Sequence, residues 1–96
     1  MARSRFLVAY DVADDKRRAA AFKVLHDYGD RLQFSVFVCD LTDREAIDLR
    51  RRLAEGIHHQ EDSVVIVALG PSGNDIEETV ETIGKPLTTR ERSMVI

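Results

Sequence analysis

Asp11 closes a short apolar run, Phe6-Leu7-Val8-Ala9-Tyr10, and is followed at once by Asp14, Asp15 and the basic trio Lys16-Arg17-Arg18. A carboxylate at a strand end sits on a rigid support, which suits a divalent metal ion, and the cations behind it suit a phosphate. The helix that starts here also offers unpaired backbone N–H groups to an anion. These residue types at this spacing can carry metal-assisted phosphoryl chemistry. The plain alternative for Asp11 is a strand terminator or turn acceptor. Asp14, just before the helical pattern begins, reads as a helix N-cap rather than a ligand, and Asp15 as a first-turn charge.

Other reactive side chains fit bland roles. His26, His58 and His59 have no Cys or acidic partner at a structural zinc spacing and read as surface residues. Ser35 lies mid-strand with no sequence-adjacent base. Cys39, the single cysteine, excludes an internal disulfide and reads as a small core residue. Tyr10 and Phe37 read as packing residues, with Tyr10 close enough in sequence to orient Asp11. Arg50-Arg51-Arg52 faces three directions around a helix, so at most two of the three share one surface.

The elements that must position these residues follow from periodicity. Arg5 to Asp11 alternates and is apolar on both faces, which predicts a central strand. From Asp14 or Asp15 to Tyr28 the pattern turns helical, with Ala21, Leu25 and Tyr28 on one stripe and Gly29 as the stop. Arg31 to Asp40 returns to strand character, as one bent strand or two short ones. Thr42-Asp43-Arg44-Glu45 has the form of a capping box, and opens a second helix to about Glu55 with Ala46, Leu49 and Leu53 buried. Ser63 to Leu69 is an almost continuous apolar run rich in β-branched residues, which predicts a strand covered on both faces. Gly70 to Asp75 is a loop. Beyond it Thr79 to Ile83 fits a strand, Ile76 to Ile83 a short helix, and Ser93 to Ile96 is extended and apolar.

That order predicts an α+β fold, a ferredoxin-like βαββαβ sandwich with a β-rich C-terminal tail. The 96 residues make one domain, with a core at about 4–70 and a tail at about 76–96. Helices on one side leave the other sheet face to be covered, which a homodimer with exchanged C-terminal strands would do. With 44% hydrophobic and 32% charged residues the composition is ordinary for a globular protein. The net charge of −3 argues against a uniformly basic nucleic-acid surface. The arginines nevertheless cluster, at Arg3/Arg5, Arg17-Arg18, Arg50 to Arg52 and Arg90/Arg92, so a basic face on an acidic protein is an open reading. No apolar run nears the ~20 residues of a membrane span, and no export signal is evident; with the lone cysteine this favours the cytoplasm.

Taken together, the chain resembles the small CRISPR-associated endonuclease family of the adaptation module, the partner of the CRISPR integrase. The resemblance rests on Tyr10-Asp11-Val12 with Asp14 and Arg17-Arg18 after it, on Leu25 and Tyr28-Gly29, and on Gln33-Phe34-Ser35-Val36-Phe37. Cys39-Asp40-Leu41-Thr42, Asp62-Ser63-Val64 and Ile83-Gly84-Lys85 extend it over nearly the whole chain. It implies a ferredoxin-like homodimer that handles DNA or RNA, with Asp11 as the catalytic and metal-binding residue of a Mg²⁺ site on the dimer axis. Arg17, Arg18, Arg50 and Arg51 are then the candidate nucleic-acid contacts. The chain departs from the family at Val38 and Val65, where a charged residue and an arginine are common, which removes charged support near the site. Within the resemblance both an endonuclease and an architectural protein fit. Two alternatives lie outside it: a toxin-type ribonuclease of the same fold, and a regulatory module that binds a metabolite.

Overall fold

The structure is a computed structural model and describes residues 2–85. The elements run β1 (Ser4–Asp11), α1 (Asp15–Tyr28), β2 (Gly29–Gln33), β3 (Val36–Leu41), α2 (Asp43–Gly56), β4 (Ser63–Pro71) and a one-turn α3 (Ile76–Thr79). The four strands form one antiparallel sheet in the order β2-β3-β1-β4. This is the expected ferredoxin-like arrangement, with β1 in an interior position. No helix among the described residues is long and apolar enough to cross a membrane.

Local chemistry sets the element ends. Asp14 caps α1 by accepting the backbone N–H of Arg17 at 3.0 Å. Thr42 and Glu45 form the expected capping box at the start of α2. Both helices pack on one sheet face, where Val8, Tyr10, Phe37, Cys39 and Leu41 meet Ala21, Leu25, Ala46, Leu49 and Leu53 in one core.

The segment 31–40 is two strands, not one. They turn at Phe34-Ser35, which leaves Phe34 82% exposed. Gly29 does more than stop α1. A Cβ at that position would fall against the carbonyl oxygen of Val38 and Sγ of Cys39, so the start of β2 reaches its place beside β3 only without a side chain.

The expectation of a fully covered last strand is not met within one chain. β4 is an edge strand with alternating burial: Val64 and Ile66 pack on the core, while Val65 and Val67 are 54% and 42% exposed on the other face. A continuous β-branched run conceals that alternation because both faces are apolar. Near its end β4 carries an irregularity, where Arg5 stands opposite Gly70 but Phe6 opposite Ala68, with Gly70 at φ +95°. The chain then bends back over the open face. Of the two readings for 76–83, the helical one holds in shortened form, and no strand follows it among the described residues. Arg90, Arg92 and Ser93 to Ile96, with the rest of the proposed exchanging tail beyond residue 85, lie outside the described residues.

Candidate functional site

Asp11 is the last residue of β1 and is exposed, opposite Ser63 at the start of β4. Alternation along β1 puts it with Leu7 and Ala9 on the face away from the helices, beside Val65 and Val67 of β4. Tyr10 faces the core instead, with its ring 6.3 Å from that of Phe37, so it does not orient Asp11. Burial pushes the Tyr10 hydroxyl up, against the opposing pull of Arg31 and Arg18.

Arg17 and Arg18 are brought to the same corner. Arg18 turns back onto the loop that follows Asp11: its Nε donates to the carbonyl of Val12 at 3.1 Å and Nη2 to that of Ala13 at 3.4 Å, while Nη1 pairs with Asp15 at 2.7 Å. Arg17 is held by two acids of the loop before β4. Its Nε donates to Asp62 at 2.8 Å and its Nη2 to Glu61 at 3.2 Å. The bonds from Arg17 outweigh burial and, with the N–H groups of His58 and Ala13, hold the Asp62 carboxyl well below the usual carboxylate range.

The α2 arginines lie elsewhere. Arg50 stacks over the Phe6 ring at 5.6 Å, on the helix side of the sheet and about 17 Å along β1 from Asp11. Arg51 pairs with Glu55 at 3.3 Å and Asp48 at 3.9 Å along its own helix. Arg52 crosses to α1, donating to the Tyr28 hydroxyl at 3.3 Å and to Asp27 at 3.5 Å. The three arginines do face three ways, and none shares a face with Asp11.

The remaining candidates take the bland roles. His59 Nε2 meets the carbonyl of Ala54 at 2.8 Å, and His58 donates its backbone N–H to Asp62. Ser35 contributes its carbonyl oxygen, which accepts from the Tyr10 N–H at 3.1 Å. Cys39 is wholly buried. Burial, with Asp40 and Asp30 nearby, pushes its thiol up to about 12, so it stays protonated and is no nucleophile.

Two charged residues gained roles that sequence reasoning did not assign. Asp62 has a fully buried carboxylate. Arg5, with its side chain 8% exposed, bonds Asp40 at 2.9 Å and the carbonyl of Asn74 at 2.6 Å. The only signal for either was position: an acid directly before an apolar strand, and a base inside one.

Among the described residues no three His, Cys, Asp or Glu side chains are grouped to hold an ion. Asp11 alone is an exposed carboxylate on a rigid strand end. Its chemistry fits a hydrated Mg²⁺, which keeps several waters and takes one or two carboxylates.

Comparison with known proteins bears on the chain as a whole. The family model described as CRISPR associated protein Cas2 matches residues 4–75. The chain is 38% identical to the CRISPR-associated endoribonuclease Cas2 1 of Rhodospirillum rubrum over 91 residues, covering 95% of this chain and 88% of that protein. It is 36% identical to the CRISPR-associated endoribonuclease Cas2 of Geobacter sulfurreducens, covering 95% of both chains. Among solved structures, that of Streptococcus pyogenes Cas2 superposes with a TM-score of 0.72 at 36% identity, covering 83% of this chain and 99% of that one. With the sheet order and these matches in agreement, the chain belongs to the CRISPR-associated protein Cas2 family.

Proposed function

We propose that the chain acts in CRISPR adaptation as a homodimer that binds nucleic acid and the CRISPR integrase, and that it hydrolyses phosphodiesters with Mg²⁺ at paired Asp11 residues. The observation that carries this reading is the place of Asp11: exposed, at the end of an interior strand, on the sheet face that one chain leaves partly bare. A second copy seated on that face would bring two such carboxylates toward one axis. When bound, Mg²⁺ would supply polarisation of a phosphoryl oxygen and a lowered pKa of a coordinated water.

The chain's own residues then divide the work. Asp11 holds the ion. Arg18, half-exposed behind the same corner, and the outer edge of Arg17 meet the phosphate of the strand being cut. Arg50 and Arg51, exposed on α2, meet the backbone farther along. Because Asp62 and Glu61 offset the charge of Arg17, its contribution is direction more than net attraction. Val38 and Val65 supply no charge near Asp11, which leaves the metal and the two arginines as the available electrostatic support.

The test is Mg²⁺-dependent cleavage of RNA and of duplex DNA by wild type and Asp11→Asn across pH, with integrase binding scored on the same samples. The expected result is cleavage that Asp11→Asn lowers at least ~100-fold, with integrase binding retained. Undiminished cleavage by pure Asp11→Asn would sink the catalytic role. Binding retained with no cleavage by either protein would select a purely architectural role, which the extensive pairing of the arginines also suits. Affinity for duplex should fall with added salt, by a slope that Arg18→Gln and Arg50→Gln reduce.

A further inference from the structure

The carboxylate of Asp62 is out of contact with solvent and accepts four hydrogen bonds from three segments of the chain. Its Oδ1 takes the backbone N–H of Ala13 at 3.0 Å and Nη2 of Arg17 at 3.2 Å. Its Oδ2 takes Nε of Arg17 at 2.8 Å and the backbone N–H of His58 at 2.7 Å. A carboxylate has about four lone-pair sites, so its capacity is filled.

These bonds converge on the corner that carries Asp11. Ser63, the residue after Asp62, stands opposite Asp11 in the β1–β4 ladder, and Asp62 itself grips the N–H of Ala13, two residues beyond Asp11. The start of β4 therefore holds β1 at its last residue and again just past it. Between the two grips, Val12 is buried in the core. On the far side Asp14 accepts the N–H of Arg17, whose side chain returns to Asp62. Asp11 itself is thus held by the β1–β4 ladder, and the chain that follows it is tied at Ala13 and at Arg17 to one buried carboxylate.

We propose that Asp62 is a positioning residue for the metal-binding carboxylate: by gripping Ala13 and Arg17 it sets the direction in which Asp11 leaves the sheet. This rests on the reading of Asp11 as a metal ligand. If Asp62 served stability alone, its loss would lower the melting temperature and leave the ion affinity of the folded protein unchanged. If it positions Asp11, the folded protein binds the ion less well.

The experiment compares wild type, Asp62→Asn and Arg17→Gln, each at a temperature where it is fully folded, with Asp11→Asn as the control for loss of the ligand. Mn²⁺ affinity is read by electron paramagnetic resonance, and the corner is read by amide hydrogen exchange at Ala13. Asparagine keeps the shape of Asp62 but turns one acceptor oxygen into a donor that opposes the N–H groups it faces. Asp62→Asn is expected to weaken Mn²⁺ binding ~10-fold, the lower end of the effect seen when outer-shell partners of metal ligands are lost, and to speed exchange at Ala13. Arg17→Gln, which leaves the Ala13 and His58 bonds in place, should move both readouts in the same direction by less. Wild-type Mn²⁺ affinity in the folded variants overturns the proposal, and if Asp62→Asn does not fold, Arg17→Gln decides it by the same measurements. Failure of wild type to bind Mn²⁺ overturns the reading of Asp11 instead. In that case unchanged exchange at Ala13 overturns the grip of Asp62 on the corner, and faster exchange supports it.

Discussion

Arg5 and Asp40 stand directly opposite each other in the β1–β3 ladder, and their side chains meet at 2.9 Å on the face away from the helices. The guanidinium is buried, and its other nitrogens reach the carbonyl of Asn74 at 2.6 Å and the hydroxyl of Thr79 at 3.4 Å. Asp40 in turn accepts from the hydroxyl of Ser72 at 2.8 Å. One ion pair therefore clasps the segment after β4 to the middle of the sheet. Arg5→Leu should cost about 2 kcal/mol, the range of a charged hydrogen bond lost with its partner retained. Urea unfolding gives the magnitude, and earlier proteolytic cleavage between residues 72 and 79 would show that the clasp is what was lost.

Gly29→Ala should be nearly as damaging, for a different reason. Gly29 has extended backbone, so no conformational preference is violated. The added methyl would meet the backbone of Val38 and the buried Sγ of Cys39, neither of which can swing away. Overpacking of this kind costs about 2 kcal/mol. A Gly29→Ala protein as stable as wild type would show that β2 can shift outward along its free edge.

The contrast between these two residues explains what could be read from the chain. Asp14, the Thr42–Glu45 box and the stripe Ala46, Leu49, Leu53 were legible because capping and helical periodicity act within a few residues. Asp11 was legible as a strand end for the same reason. Gly29 looked like a helix stop, since its true neighbour Cys39 is ten residues on. The hairpin at Phe34-Ser35 lacks the Asn-Gly or Asp-Gly signal that would mark a turn. Asp62 and Arg17 are separated by 45 positions, so an acid in a loop and a base on a helix read as two solvated charges until the fold joins them. The exposure of Val65 and Val67 depended on strand order, which composition does not encode.

Stability should decline in acid. Burial alone would raise the Asp40 carboxyl, but the bonds from Arg5 and Ser72 outweigh it and hold it below its ordinary value, and Asp62 is held lower still by Arg17. In the unfolded chain both aspartates take up protons near pH ~3.9. Since the unfolded state then binds more protons than the folded one, stability rises with pH through that window: it is fully present above about pH 5 and is lost as pH falls below about pH 4 toward the folded values. Melting temperatures between pH 3 and pH 8 should follow that curve, and Asp62→Asn should flatten its acid limb. An equally steep limb in the variant would place the titration elsewhere.

The partly bare sheet face makes a separate prediction about assembly. Val65 and Val67 alternate outward on β4 beside Leu7 and Ala9 of β1, and Asp11 ends the same face. An apolar strip of this kind on an edge strand invites a second copy. Val67→Asp puts a charge in its centre without touching the core of one chain, so the cost to the folded monomer should stay within about 0.5 kcal/mol. Dimer affinity should fall at least ~10-fold, which needs only about 1.4 kcal/mol, and sedimentation equilibrium would show it as a shift toward monomer. Ile47→Asp is the control, because Ile47 is also an exposed apolar residue but lies on α2, across the molecule from that face. If Ile47→Asp dissociates the protein and Val67→Asp does not, the helices form the interface and two Asp11 carboxylates cannot share an ion. If Val67→Asp alone dissociates it, Mn²⁺ binding should fall with the dimer, because a monomer offers the ion a single carboxylate.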